Sequence, residues 1–488
     1  MKFSRLKLLS IFVIVHLTPS CTPKDNEHFI LQAHLEYHVI GANIPYDILS
    51  LSVTHEDSDS VHIRIDWGDG TNSEIRAYTG NEYKLPHTWS NAGLYNIRIE
   101  AKDINHGQLE RITLPLSVIS VWQKAYGGPN NEAAYSFIQT ADGGFIIAGY
   151  TDSYGNGVYD FCIMKLTASG NLLWIKAFGG SNYELARSIT PTSDGGFAVV
   201  GSTSSFGNGS QDVYVLRFDA NGDTLWSKTF GGSDKEWGNC IISTPDGGFL
   251  IAGTTCSFGH NGTSDAYIIK IDASGDTVWT KTFGSTNFEG FYCVTPTQEG
   301  GFVAAGYCYQ NGQTDIYALK LNENGDSLWS NTFDGDNNEY GRTVVQVSDG
   351  GIVIAGEKNY IDQDISDIFI LKLDANGNSL WAKTFDGGMN EFASSIVQSA
   401  DGSLLLAGGT NSTGSGGYDA YVLKLDSKGD SLWSKTFGGN SDDAAYSIIK
   451  TTDGGFAIAG STKSFGSVEG DCYIVKFDPQ GNAPSLEK

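Results

Sequence analysis

Seven tryptophans recur at a nearly constant interval. Trp122, Trp174, Trp226, Trp279, Trp329, Trp381 and Trp433 are spaced 52, 52, 53, 50, 52 and 52 residues apart. Most close a near-copy of one phrase, as in FDANGDTLWSKTFGG from Phe218 and KLDSKGDSLWSKTFGG from Lys424. A period of this size requires a chain of similar supersecondary units, each of which buries its apolar face only against its neighbours.

Every unit carries four short strand signals separated by Gly- and Asp-rich turns. In the second unit they read ELARSITPT, GGFAVVGS, DVYVLRFD and DTLWSKTF. Four strands per unit, seven times over, predict a seven-bladed β-propeller across residues 121–478, with a tail at 479–488. Closure follows from the ends of the repeat. The last unit stops after DCYIVKFDPQGN without its Trp strand, whereas VWQKAYGG at 121–128 is a Trp strand with no unit before it. The early strand is therefore expected to complete the last blade and remove an open edge. Each Trp is expected to pack on the neighbouring blade, with about 3–5 kcal/mol lost on truncation to Ala. The punctuation GG, DGGF, AG, S-[FY]-G and D-x-Y resembles the seven-bladed β-propeller repeat of bacterial surface proteins, and LDANGDTLWSKTFGG is similar to the Trp-docking repeat of quinoprotein propellers. That resemblance implies the fold and leaves the activity open.

Residues 30–120 have a different texture. VHIRIDW and LYNIRIEAKD alternate apolar and polar residues between turn clusters, which reads as a small antiparallel sandwich. Its motif is DWGDGT at Asp66 to Thr71, followed by HTWSNAGLYNIRIEAKD from His87. These residues resemble the PKD domain, an Ig-like sandwich, and the resemblance implies a spacer or weak binder. Asp66 and Asp69 read as turn-forming carboxylates.

The first 20 residues pair Lys2, Arg5 and Lys7 with a short apolar run, the pattern of an export signal too short to span a bilayer. Cys21 follows and resembles the lipidated cysteine of a bacterial lipoprotein. The segment TPKDNE behind it resembles the tag that sends Bacteroidota lipoproteins to the outer face of the outer membrane. The expectation is an exported, lipid-anchored surface protein with a tether at 21–29; a cleaved signal with an unmodified Cys21 is the alternative. Removing residues 1–20 takes away three basic and no acidic side chains, so the net charge moves from −25 to −28. Such a surface repels phosphate backbones, which argues against nucleic acid as a partner.

Two acids recur in every blade. Glu132, Glu184, Glu236, Glu289, Glu339, Glu391 and Asp443 precede strand one, and Asp160, Asp212, Asp265, Asp315, Asp367, Asp419 and Asp471 open strand three. Both sets fall on one face, and their regularity marks them as turn-building devices. Departures from the repeat are more informative. The loops between strands two and three of blades three to five bring His260, Tyr309, Asn311, Tyr360 and Asp362, with Trp237 on the same rim, a set suited to stacking on sugar rings. Catalysis finds little footing, because the propeller holds a single His, His260, and three arginines, Arg187, Arg217 and Arg342. No catalytic residue, metal site or cofactor is expected. Six cysteines remain beyond Cys21; Cys162 with Cys472 and Cys256 with Cys308 are candidate disulfides, while Cys240 and Cys293 are expected to exceed disulfide reach. The functional expectation is a monomeric, non-catalytic adhesion or binding module for polysaccharide or protein. A polysaccharide hydrolase or lyase, a quinoprotein-like enzyme and a structural envelope component are the alternatives.

Overall fold

The computed structural model describes residues 29–55, 60–103, 107–260, 263–333, 335–361 and 363–486. The signal segment, Cys21 and Asp362 lie outside them. The chain is all-β, and no helix among the described residues is long and apolar enough to cross a membrane. It divides into two compact units. One holds the chain up to Trp122 with 453–455 and 476–485, the other 123–452 with 456–475 and 486–488.

The smaller unit is a two-sheet sandwich. Phe29–Leu35, Tyr46–His55 and Glu82–His87 form a three-stranded sheet; Val39–Gly41, Leu109–Ile119, Gly93–Asp103, Ser60–Asp66 and Asn72–Tyr78 form a five-stranded one in that order. Alternate residues of both sheets enter one core around Trp67 and Trp89. The DWGDGT turn is tied by its own acids. Asp66 accepts the Gly68 N–H at 2.9 Å, while Asp69 accepts the Thr71 N–H at 2.9 Å and contacts His87 Nε2 at 2.9 Å. His87 lies flat on Trp67, with ring centroids 4.4 Å apart.

The larger unit is built from four-stranded antiparallel sheets, seven among the described residues. The first contains Glu132–Gln139, Phe145–Thr151, Asp160–Leu166 and Leu172–Phe178, paired in chain order. The two middle strands are almost wholly buried, as in FAVVGST and DVYVLRF of the second sheet. They read as continuous apolar runs because both faces are covered by neighbouring sheets. The last sheet comprises Asp443–Lys450, Phe456–Thr462 and Asp471–Phe477, and its outer strand is Trp122–Tyr126 from the opposite end of the repeat. Tyr473 donates its hydroxyl to Gln123 across that pairing. The first and last sheets also touch directly, since the Glu132 N–H donates to the Gly470 carbonyl at 3.0 Å and the Thr452 N–H to Gln139 Oε1 at 2.8 Å. The arrangement is propeller-like.

The recurring phrase is a clamp between successive sheets. Five of the seven outer-strand Trp rings lie on the hairpin glycine of the next sheet, Trp174 on Gly222, Trp226 on Gly275, Trp279 on Gly325, Trp329 on Gly377 and Trp381 on Gly429. Those glycines have φ between 76° and 83°, where a side chain would be strained and would strike the indole. Two residues after the Trp, Lys228 reaches Asp276 at 3.0 Å, Lys281 reaches Asp326 at 2.8 Å and Lys383 reaches Asp430 at 2.6 Å. The DANGD-type segments are thus Asx turns gripped from the preceding sheet; Asp272, for example, accepts the N–H groups of Ser274 and Asp276 at 2.9 Å.

The six cysteines are free thiols. Cys162 and Cys472 are fully buried on the third strands of the first and last sheets, and they are unbonded. Packed sheets stand about 10 Å apart, whereas a disulfide spans Cα atoms only about 4.4–6.8 Å apart. The expected Cys256 to Cys308 bridge is also absent, for a reason of register. Cys256 stands twenty residues after Glu236 and Cys308 nineteen after Glu289, and adjacent strand residues point to opposite faces. Tyr307 is the residue that meets Cys256, while Cys308 sits by Glu289 and Asp315 of its own sheet. Cys240 and Cys293 are likewise free thiols, and their interaction holds the proton on Cys240.

Candidate functional site

The two acid sets do share one face, and they are buried. Glu132 Oε1 accepts the Thr151 hydroxyl at 2.6 Å and the Ser153 N–H at 3.2 Å, while its Oε2 accepts the Gly128 N–H at 2.7 Å. Asp160 Oδ2 accepts the N–H groups of Asn156 and Gly157 at 3.0 and 2.9 Å. These carboxylates hold turns. Successive sheets also bring the two sets together: a Cβ on Gly179 or Gly231 would strike both the strand-three Asp and the next sheet's strand-one Glu. Burial followed by the neighbouring acid raises Asp471, and Asp419 is lifted to about 6 by burial and then Asp443.

The rim residues chosen from the loops do not converge. His260 spends its N–H and its Nδ1 on Asp265, at 2.9 and 3.0 Å. Tyr360 donates to Asp367 Oδ2 at 2.6 Å. Asn311, at φ 53°, and Gly312, at φ 90°, make the two-residue turn between Gln310 and Gln313, so Asn311 is a hairpin residue. Trp237 is half-buried in an inner strand opposite Thr254. Tyr309 remains exposed, edge-on to an equally exposed Phe288 at 6.5 Å. The contacts that hold His260, Tyr309 and Tyr360 lie within their own sheets.

A different set does come together. In every inner strand the register slips three residues after the acid, as between Ala134 and Ser136 or Gly341 and Thr343. The bulged residue has no cross-strand partner and is aimed out of the sheet. The seven are Tyr135, Arg187, Asn239, Tyr292, Arg342, Ser394 and Tyr446, and together with Glu357 and Phe392 they line one cavity of about 460 Å³ among the inner strands. A second cavity of about 360 Å³ shares Phe392 and Tyr446 and opens on the acid-bearing face beside Tyr418 and Lys463.

The cavity joins cations to aromatic faces. Arg187 lies over Tyr135 at 4.6 Å, and among the described residues no carboxylate pairs with it. Arg342 lies over Tyr292 at 4.4 Å and Tyr340 at 5.1 Å and bonds Glu357 at 2.5 Å. Burial pushes the Tyr292 phenol up to about 12, so it enters the cavity as a neutral donor. Two of the three propeller arginines thus line one channel. Arg217, the third, fills the lysine slot of its sheet and pairs with Asp194 at 2.6 Å. The signal was present in the sequence as the one inner-strand position that varies freely among aromatic, basic and small polar residues.

Comparison with known proteins agrees with this architecture. The model of the family described as "Outer membrane protein assembly factor BamB" matches residues 264–480, and that of "Domain of unknown function (DUF5122) beta-propeller" matches 140–172 and 192–224. The larger unit is a β-propeller. The chain is 30% identical over 138 residues to the regulatory protein FlaEY of Caulobacter vibrioides, a match covering 24% of this chain and 14% of that protein. Solved structures similar to it include the Pan2 WD40 domain of Neurospora crassa, with TM-score 0.45 and 12% identity over 74% of this chain and 92% of that one. The α-L-arabinofuranosidase Arb93A of Fusarium graminearum aligns with TM-score 0.44 and 10% identity over 73% and 99%.

Proposed function

We propose that this chain is a seven-bladed propeller carried behind a PKD-type sandwich, exported and lipid-anchored through Cys21, that binds carboxylated polysaccharide in its central channel without chemistry. The observation that carries the reading is the ring of bulged residues: seven equivalent positions face one cavity and differ from blade to blade, while the scaffold around them repeats. Guanidinium groups suit sugar carboxylates, phenol rings suit sugar faces, and Asn239 and Ser394 suit hydroxyls. A hydrolase that works through paired carboxylates needs a second acid near the first. Glu357 is the one carboxylate lining the channel cavity among its described residues and is already paired with Arg342, which supports binding over catalysis.

Isothermal titration of the full chain with uronic-acid oligosaccharides and with their neutral counterparts tests this. Binding of the acidic series that falls about tenfold or more in Arg187→Ala supports it. Equal binding of neutral sugars, or acidic binding indifferent to Arg187, refutes it. The exposed Phe288–Tyr309 pair favours a second reading, recognition on the rim; binding lost in Tyr309→Ala with Tyr360→Ala and kept in Arg187→Ala would establish that reading instead. Anchoring is tested separately, by an intact mass showing acyl chains on Cys21.

A further inference from the structure

The junctions between successive sheets differ at one position. The outer strand of a sheet runs into the next through a Phe or Tyr and then Gly127, Gly179, Gly231, Gly284 or Gly438, and a Cβ on any of these would run into the strand-three Asp and approach the following strand-one acid. Glycine there lets two buried carboxylates face each other across bare backbone. The sequence places Asp334, outside the described residues, at that position between the fourth and fifth sheets, and Asp386 between the fifth and sixth. A third carboxylate enters the pair, and Asp367, Asp386 and Glu391 place oxygen atoms within 4.8 Å of one another.

The cluster is short of positive charge, and one of its buried oxygens lacks a donor. Asp367 is 2% exposed, and although Tyr360 donates to its Oδ2, its Oδ1 is buried with no hydrogen-bond partner. By the geometry of the glycine junctions, that oxygen is the one aimed at position 386. Lys358 lies across the strand pair from Asp367, but its ammonium bonds Glu339 of the preceding junction at 3.1 Å. Glu391 is held in place by the Thr410 hydroxyl at 2.7 Å and the Gly387 N–H at 2.9 Å, and Asp386 by the Gly388 N–H at 2.6 Å. Three positioned carboxylates, one with a buried bare oxygen, offer hard oxygen donors to a divalent ion and nothing soft.

We propose that Asp367, Asp386 and Glu391 bind a calcium-type divalent cation at this junction. The ion replaces the glycine contact as the element that joins the fifth and sixth sheets, and Tyr360 serves as a positioning residue by fixing the Asp367 carboxylate. The site is independent of the saccharide reading, because it lies in a sheet junction and is read without sugar.

The test uses the full chain stripped with EDTA, titrated with CaCl2 by calorimetry and with Tb3+ by luminescence. The Asp386 junction is expected to take up one ion, with a dissociation constant of about 10⁻⁵–10⁻³ M and a calcium-dependent rise in melting temperature. Asp386→Gly installs the residue carried by five other junctions, so the fold is retained; it is expected to weaken calcium about tenfold or more and to abolish the thermal rise. Asp386→Asn, which keeps the side-chain volume, is expected to weaken it in the same direction. Absence of saturable uptake by the wild type, or unchanged affinity in both variants, would overturn the proposal.

Discussion

Trp226 shows how much of the repeat is a single contact. Its ring covers Gly275, its Nε1–H donates to the Ala273 carbonyl at 3.2 Å, and it joins the cluster of Ile241, Phe249 and Tyr267. Trp226→Ala is expected to cost about 3 kcal/mol, read as a shift in denaturant midpoint at constant slope. The strand-three lysines give a sharper test, because their two partners differ in burial. Lys270 is 5% exposed and pairs at 2.7 Å with Asp246, an acid open to solvent. Asp246→Ala strands a buried ammonium and is expected to destabilise by about 1–3 kcal/mol, more than Lys270→Met, which leaves only a solvated carboxylate. Equal losses in chemical denaturation would contradict that asymmetry. At this scale the sequence was informative about what repeats: the Trp and the turn Asp both have their roles in the clamp. It was silent on direction, so loop aromatics that turn back onto their own sheet, Tyr360 and His260, looked like a recognition surface.

The most consequential element is the short strand Trp122–Tyr126. It pairs with Asp471–Phe477, as the incomplete last repeat implied. Removing residues up to 126 leaves that strand's edge bare, and exposed edges recruit other chains. Light scattering is expected to show the truncated chain as oligomers or aggregate, and the full chain as a monomer. Bulges are the element that sequence reading lost. A slipped register after Ala134, Ala186 or Ala445 has no composition of its own, yet it turns one residue per sheet into the channel. The cysteine pairings failed for a related reason. One residue of register separates Cys256 from the position that would face Cys308, and repeat alignment alone does not show which face each strand presents.

For the whole molecule, the buried acids set the response to pH. Asp419, held at about 6 mainly by burial, and the similarly raised Asp160, Asp212 and Asp471 bind protons more tightly folded than unfolded. Their contribution is complete below the unfolded carboxylate range and is lost as pH rises through each raised folded pKa, about 6 for Asp419. Asp142 and Asp194 go the other way. Hydrogen bonds from Thr140 and Thr192 respectively lead the causes that hold both at about 2, so their contribution is lost as pH falls below about 4. Melting temperature is therefore expected to peak near pH 5 and to fall on both sides, with the alkaline fall shallower in Asp419→Asn. A curve rising steadily from pH 5 to 8 would contradict the acid-pair description. The account as a whole rests on a closed ring whose variable inner residues meet in one channel. A crystal structure of the chain with a uronic-acid disaccharide tests it most directly: density between Arg187 and Arg342 is the expected result, and density confined to the Tyr309 and Tyr360 loops would contradict it.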